Sequence, residues 1–152
     1  MRGGAALFEH SPWVEDRADA RPSSGDRWAD LMAVMHDATT EEQLALIRAH
    51  PELAGKAAID RTLTDASAAE QTSAGLDRLT PAEFQRFHDL NAAYRARFDF
   101  PFIICVRLTD KAGILAAMEQ RLHHARDAEI ATALEQIGEI VRLRLKDMEQ
   151  QP

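Results

Sequence analysis

Apolar residues recur every three or four positions along nearly the whole chain, and this periodicity restricts the fold more than any other feature. The longest stripe lies in the last segment: Ile130, Leu134, Ile137, Val141 and Leu145. Residues at this spacing share one face of an α-helix, so a long helix is predicted from about residue 127 to 149, packed on a bundle or a partner. Further stripes predict helices from about 25, 40, 65, 80 and 110. The pattern therefore predicts an all-α fold of about seven or eight helices.

Helix starts and stops are also marked in the sequence. Thr80-Pro81-Ala82-Glu83 combines a cap residue, a proline at the first helical position and a glutamate that can return to the cap. Thr40 with Gln43 predicts another capping box, and Ser11 before Pro12 predicts the first helix start. Pro51 disfavours helical backbone at the preceding residue, so the helix from about 40 should end at or before His50.

The helical pattern breaks between Phe98 and Val106. Pro101 interrupts it, and a continuous apolar run with β-branched residues follows: Phe102, Ile103, Ile104, Cys105 and Val106. Such a run predicts a short, buried, extended segment near residues 100–107. Because Cys105 is the single cysteine and lies in this run, it is predicted to be a buried, inert thiol.

Length and charge limit the class of protein. The 152 residues suit a single domain over residues 1–152, and 45% hydrophobic with 28% charged residues is typical of a soluble globular protein. A formal net charge of -7 argues against a nucleic-acid partner, because phosphate binding needs a basic surface. No apolar run approaches the roughly 20 residues of a membrane helix. A small molecule or a protein remains as the partner, and the cytoplasm is the expected location.

Two groups of polar residues could carry chemistry. His50-Pro51 places an imidazole at a helix end, where it could face a cavity, although the helix dipole would also stabilise a cationic histidine there without any function. From spacing alone the second interpretation is favoured. Ser67, Glu70 and Gln71 share one helical face. Ser67 and Glu70 could equally form a capping box, so both interpretations stay open.

Other motifs of catalysis are absent from the sequence. There is no phosphate-binding glycine loop, nucleophile elbow or zinc-binding cysteine pair. The adjacent His123 and His124 point in different directions on a helix and are interpreted as solvated helix-end residues, so no metal site is predicted. Arg107, Arg142 and Arg144 could each offer a forked cation to a carboxylate.

Four segments together carry a more specific pattern. They are, in chain order, Phe8-Glu9-His10-Ser11-Pro12-Trp13-Val14, His50-Pro51-Glu52-Leu53-Ala54-Gly55-Lys56, Ser67-x-x-Glu70-Gln71-x-x-Ala74-Gly75-Leu76, and Phe100-Pro101-Phe102-Ile103-Ile104-Cys105-Val106-Arg107. The set resembles the 2-oxo-4-hydroxy-4-carboxy-5-ureidoimidazoline (OHCU) decarboxylases from about residue 8 to 146. The resemblance implies an all-helical, usually homodimeric enzyme without metal or organic cofactor. Its small-molecule substrate would be OHCU, which it converts to (S)-allantoin and carbon dioxide in urate degradation.

The resemblance also implies the site residues. His50 would be the catalytic acid/base, and Glu70, if close to it, would favour the imidazolium. Arg144 would bind an anionic edge of the substrate. The remaining substrate-binding residues would be Pro51, Ser67, Gln71, Phe102, Ile103, Ile104, Cys105 and Val106.

Two other functions stay open at this point. The chain could be a non-catalytic helical module that docks another purine-pathway enzyme through its last helix, since a fold alone does not determine function. It could also be a decarboxylase or ring-opening hydrolase of a related heterocyclic acid. The presence of His50 and Glu70 favours catalysis over docking.

Overall fold

A computed structural model describes residues 7–8, 10–53 and 65–150 of the chain, with side chains omitted at residues 65–67 and 150. Within these residues it contains seven α-helices, one 3-10 turn and no strand, which confirms the predicted all-α class. The helices are α1 (Trp13–Asp19), α2 (Arg27–Asp37), α3 (Thr40–Arg48), α4 (Asp65–Ser73), α5 (Pro81–Phe98), α6 (Lys111–Arg121) and α7 (Arg126–Gln150), with the 3-10 turn at Val106–Leu108. No helix in the described ranges is long and apolar enough to span a membrane.

Proline-containing helix starts are present at both predicted places. At α5 the Thr80 hydroxyl accepts from the Glu83 amide at 3.1 Å, and the Glu83 carboxylate accepts from the Thr80 amide at 2.9 Å, which confirms the capping box. At α1 the helix begins at Trp13, one residue later than predicted, and Pro12 is the cap residue. Ser11 makes no side-chain cap there because the cap position itself is a proline.

The capping box of α3 lies one residue earlier than predicted. Thr39 and Glu42 form it, with the reciprocal hydrogen bonds at 3.1 and 3.0 Å, so the prediction of Thr40 with Gln43 was wrong. Thr39 has extended backbone, with φ -66° and ψ 160°, as a cap residue requires, whereas Thr40 is already helical. Gln43 instead donates to the carbonyl of Met35 at 3.0 Å.

Helix α3 ends before His50, as the His-Pro pair predicted. Its last residue is Arg48, Ala49 caps it, and the His50 amide donates to the Ile47 carbonyl at 3.1 Å. Because Pro51 restricts the backbone of His50, the chain leaves the helix here. The structure therefore confirms that His50 lies at a helix end.

A non-helical segment crosses the core after α5. It runs from Phe100 to Cys105, and Phe100, Phe102 and Cys105 in it are each only 1% exposed. The predicted segment is thus non-helical up to Cys105, and Cys105 itself has extended backbone, with φ -76° and ψ 98°. Val106 departs from the prediction because it begins the 3-10 turn, in which the Leu108 amide donates to the Cys105 carbonyl at 3.1 Å. The core around this segment is built from α2, α3, α5, α6 and α7, with fully buried Leu31, Leu46, Phe87, Ile114 and Ile137.

Candidate active site

A cavity lies between the end of α3, helix α4, helix α7 and the non-helical segment. Its lining consists of His50, Pro51, Leu53, Glu70, Gln71, Phe102, Ile103, Ile104, Cys105, Val106, Arg107, Ile140 and Arg144. Ten of the eleven predicted site residues are in this set. The eleventh, Ser67, belongs to α4, but its side chain lies outside the described residues.

His50 is held at the cavity in one tautomer. Its Nδ1 lies 2.9 Å from the carbonyl oxygen of Leu46, one turn back in α3. A carbonyl oxygen only accepts hydrogen bonds, so Nδ1 carries a hydrogen and donates it. Nε2 is therefore the ring nitrogen at which a proton can be gained or lost.

Glu70 and Arg144 form a two-pronged ion pair across the cavity. Nε of Arg144 donates to one carboxylate oxygen at 2.8 Å, and Nη2 donates to the other at 2.7 Å. Both side chains are largely buried, with 14% of Glu70 and 6% of Arg144 exposed. The forked geometry fixes the plane of the guanidinium as well as its position. The negative charge expected to favour the His50 imidazolium is therefore shared with Arg144.

The capping-box interpretation of Ser67 and Glu70 was wrong. Helix α4 begins at Asp65, so Ser67 lies within the helix and is not its cap residue. The Glu70 carboxylate is bound by Arg144 from α7. Glu70 therefore binds a side chain 74 residues away along the chain, and not a backbone amide at the start of its own helix.

The loop after His50 is held by amide side chains from two helices. Gln71 of α4 donates to the carbonyl of Glu52 at 3.4 Å, and Asn91 of α5 donates to the carbonyl of Leu53 at 2.9 Å. Gln71 and Asn91 are both buried. The loop that carries Pro51 into the cavity is consequently tied to the helices around it.

Three residues of the lining were not among the predicted site residues: Leu53, Arg107 and Ile140. Leu53 belongs to the His50–Lys56 motif, and Ile140 lies one helical turn before Arg144, so helical spacing from Arg144 would have found it.

Arg107 had been considered as a forked cation, and its guanidinium binds the carboxylate of Asp147 at 2.6 and 3.1 Å. That hydrogen bond raises the pKa of Arg107 above its usual value.

The third candidate arginine is not in the lining. Arg142 binds Glu139, three residues earlier on α7, at 2.6 Å, and both side chains are substantially exposed. Arg142 and Arg144 are only two positions apart, so they point to different sides of the helix. Of the three arginines that residue type alone left equivalent, Arg107 and Arg144 reach the cavity.

The wall of the cavity is the segment Phe102–Val106. Burial, above all, raises the pKa of the Cys105 thiol, which therefore stays protonated at neutral pH and is a poor nucleophile. The amide of Cys105 donates to the side-chain oxygen of Gln136 at 2.9 Å. The carbonyl of Ile103 accepts from Nη1 of Arg121 at 2.7 Å.

A polar group that we call the rear cluster lies behind this wall and comprises Tyr94, Arg121, His124 and Glu129. Glu129, with 0% of its side chain exposed, accepts from Arg121 at 2.8 Å, from the Tyr94 hydroxyl at 2.6 Å and from His124 at 2.9 Å. Burial and the hydrogen bond to Glu129 raise the pKa of Tyr94. His124 is 43% exposed but bonds this buried carboxylate, so its interpretation as a merely solvated residue was wrong.

No group of three or more histidine, cysteine, aspartate or glutamate side chains in the described part of the chain is arranged to hold a metal ion.

The chain is similar to known proteins over almost its full length. A family model described as OHCU decarboxylase matches residues 5–146. The 2-oxo-4-hydroxy-4-carboxy-5-ureidoimidazoline decarboxylase of Haloferax volcanii is 45% identical over 145 residues, which cover 93% of this chain and 83% of that protein. The protein of the same name from Halalkalicoccus jeotgali is 44% identical over 93% of this chain and 80% of its own length.

A solved structure supports the same assignment at the level of the fold. The crystal structure of an OHCU decarboxylase in the presence of (S)-allantoin superposes with a TM-score of 0.73 over 91% of both chains, at 19% sequence identity. Sequence similarity to the named decarboxylases and likeness of fold thus agree. The chain belongs to the OHCU decarboxylase family.

Proposed function

We propose that this protein is a decarboxylase that converts OHCU to (S)-allantoin and carbon dioxide in urate degradation. The observation that carries the proposal is that His50 and the Glu70–Arg144 pair line the same cavity, in a chain of this family. An acid/base group and a fixed cation beside apolar walls suit an anionic heterocyclic substrate.

The reaction requires little more than positioning and one proton. The bond between the ring carbon and the carboxylate breaks, carbon dioxide leaves, and the electron pair stays on the ring carbon. The conjugated substrate ring can delocalise this pair, so the proposed mechanism uses no metal or organic cofactor. A proton then adds to one face of the neighbouring ring carbon, which carries the ureido group, while the ring hydroxyl loses its proton and becomes a carbonyl. The choice of face determines the configuration of allantoin.

His50 is proposed as the catalytic acid/base. Its Nδ1 is committed to the Leu46 carbonyl, so Nε2 would deliver the proton. Histidine titrates close to neutral pH, which suits both donation and recovery of a proton. Pro51 would support this role by keeping the backbone of His50 out of the helix.

Arg144 is proposed to bind an anionic edge of the substrate, with Glu70 as the second catalytic residue. The two hydrogen bonds from Arg144 to Glu70 hold the guanidinium in a fixed plane, so little entropy would be lost when the substrate binds. Glu70 also lines the cavity that holds His50, which supports a role for it beside the catalytic acid/base.

The remaining lining residues are proposed to set the orientation of the substrate. Gln71, Ser67 and backbone groups of Phe102–Val106 would hydrogen-bond its ureido and ring carbonyl groups. This proposal is supported by the positions of Gln71 and the wall at the cavity.

The test is a stereospecific assay. OHCU is generated enzymatically from urate, the purified protein is added, and the circular dichroism of the allantoin formed is followed over time. We expect the S enantiomer to accumulate faster than spontaneous decay allows. Accumulation no faster than in the protein-free reaction would reject the activity, and turnover of a different heterocyclic acid in a substrate panel would redirect it.

We also propose that the chain is a single domain that forms a homodimer in the cytoplasm. Leu108 and Met148 support the dimer, because they are exposed apolar residues, at 58% and 39%, and are chain neighbours of the Arg107–Asp147 pair. Sedimentation equilibrium and cell fractionation test these two points, and a monomer at micromolar concentration would refute the dimer.

A further inference from the structure

The wall of the cavity depends on hydrogen-bond partners from outside its own segment. Residues 101–105 belong to no helix, so their backbone groups lack the partners that a helix supplies. Two partners come from side chains: Arg121 binds the Ile103 carbonyl at 2.7 Å, and Gln136 binds the Cys105 amide at 2.9 Å. Neither Arg121 nor Gln136 lines the cavity. We call these two residues the rear clamp.

Arg121 is itself immobilised. It is 7% exposed, its Nε is bound to Glu129 at 2.8 Å, and its guanidinium carbon lies 4.2 Å from the centre of the Phe102 ring. The stacked ring belongs to the same wall whose carbonyl the arginine binds. Arg121 therefore holds the wall by a ring face and by a backbone atom together.

Gln136 links the wall to the proposed anion-binding residue through one rigid element. Gln136, Ile140 and Arg144 follow one another at four-residue spacing on α7, so they lie along one face of this helix. The first binds the wall, the second lines the cavity and the third carries the guanidinium. The separation between the wall and Arg144 is thus set by the backbone of a single helix.

We propose that Arg121 and Gln136 are positioning residues that hold the wall at a set distance from Arg144 and thereby determine which face of the substrate meets the proton donor. This inference rests on the proposed decarboxylase function. Neither residue would touch the substrate. Their effect would reach it through the backbone of Ile103 and Cys105.

The experiment compares three single variants of the full chain. Gln136→Met removes the acceptor with little change in size, Gln136→Glu retains an acceptor oxygen, and Gln43→Met removes a comparable bond between a half-buried glutamine and a backbone group away from the cavity. For each, kcat, KM, the fraction of S product and the melting temperature are measured with enzymatically generated OHCU.

We expect Gln136→Met to lower kcat roughly tenfold with little change in KM, a part of the roughly 100-fold that a 1 Å misplacement can cost. The fraction of S product should fall with it, because spontaneous protonation is not selective for a face. Gln136→Glu should restore both values towards wild type. Gln43→Met should match wild type in kcat and in product configuration.

The outcomes separate this inference from the proposed function. A wild-type protein that forms (S)-allantoin no faster than spontaneous decay overturns both. An active wild type with Gln136→Met equal to Gln43→Met in kcat and S fraction overturns the positioning role alone. If Gln136→Met does not fold, Arg121→Lys replaces it, because lysine keeps the charge beside Glu129 but lacks the fork that also reaches Ile103. A wild-type kcat and S fraction in that variant would overturn the inference equally.

Discussion

Two arginine–glutamate pairs flank the wall Phe102–Val106, and they differ in what surrounds them. Arg144–Glu70 lines the cavity with both prongs of the guanidinium on the carboxylate. Arg121–Glu129 lies behind the wall, and its carboxylate, 0% exposed, also binds Tyr94 and His124.

The two pairs consist of the same residue types, so any difference in what they do must come from the groups that surround each pair. A pair enclosed by further partners holds its surroundings together, and loss of one member leaves an uncompensated charge in the core. A pair at a cavity places its charge where a ligand can meet it. Changes on the cavity side should therefore mainly reduce the reaction rate. In the rear cluster, loss of the Glu129 carboxylate should mainly reduce stability, whereas Arg121 also contacts the wall and should affect the rate through it.

The largest expected kinetic effect is at His50. In His50→Asn the side-chain amide can still donate to the Leu46 carbonyl, so the end of α3 is retained, but the proton-transfer group is lost. We expect kcat to fall by about 100- to 10,000-fold. Steady-state kinetics and a melting curve measure the effect, with the exposed His36→Asn as control. A near-wild-type rate in a folded His50→Asn protein would remove His50 from the mechanism.

In the rear cluster, Glu129→Gln should mainly cost stability. The substitution leaves Arg121 buried without its counter-charge, so the free energy of unfolding should fall by about 3–5 kcal/mol. Urea unfolding measures this, with Glu135→Gln, an exposed carboxylate on the same helix, as control. The double variant Arg121→Met/Glu129→Gln should recover part of the loss. A change no larger than that of Glu135→Gln would show that the rear cluster is not a stabilising element.

At the cavity, Glu70→Gln should reduce the reaction rate more than the stability. One of the two charge-assisted bonds to Arg144 is lost, so kcat/KM should fall about 10- to 100-fold, equivalent to the roughly 1.5–3 kcal/mol of such a bond. The free energy of unfolding should change less than in Glu129→Gln. The kinetic control is Glu139→Gln, which removes the exposed ion pair between Glu139 and Arg142 on α7. Equal rates for Glu70→Gln and Glu139→Gln would contradict a catalytic role for Glu70.

The smallest effect is expected at an exposed pair, Arg17–Glu42. The hydrogen bond from Arg17 and the Thr39 amide lower the pKa of Glu42 from 4.5 to about 2. Because the folded pKa lies below the unfolded one, this stabilisation is present above about pH 4.5 and is lost as the pH falls towards 2. Glu42→Gln should flatten the dependence of the melting temperature on pH in that window, and Glu41→Gln should not. Identical profiles for both variants would exclude the contribution of Glu42.

Local signals predicted the helices well where one register was available. Thr80-Pro81-Ala82-Glu83 allows a single start, and the structure has it. Thr39-Thr40-Glu41-Glu42-Gln43 contains two overlapping capping boxes, and the choice between them depends on which threonine has extended backbone. The end of the non-helical segment was equally ambiguous, because Val106 suits both an extended strand and a tight turn.

The partners of the charged side chains were beyond prediction from the residues themselves. Residue type and spacing left Arg107, Arg142 and Arg144 equivalent, and only the family resemblance singled out Arg144. The packing of α7 directs Arg142 to Glu139 on its own helix and Arg144 to Glu70 in the cavity. The rear cluster was missed because its members come from α5, α6, α7 and the turn between α6 and α7, and no spacing links them.

By itself the sequence determined where the backbone leaves the helix. Pro51 and Pro101 act through steric contacts with the residues before them, so helical backbone is disfavoured at His50 and at Phe100 whatever the rest of the fold. Tertiary structure alone decided that Glu70 meets Arg144, 74 residues away, and that Arg121 supports Ile103 from behind. The reason is the range of the forces: backbone sterics act within a few residues, whereas an ion pair depends on which helices pack together.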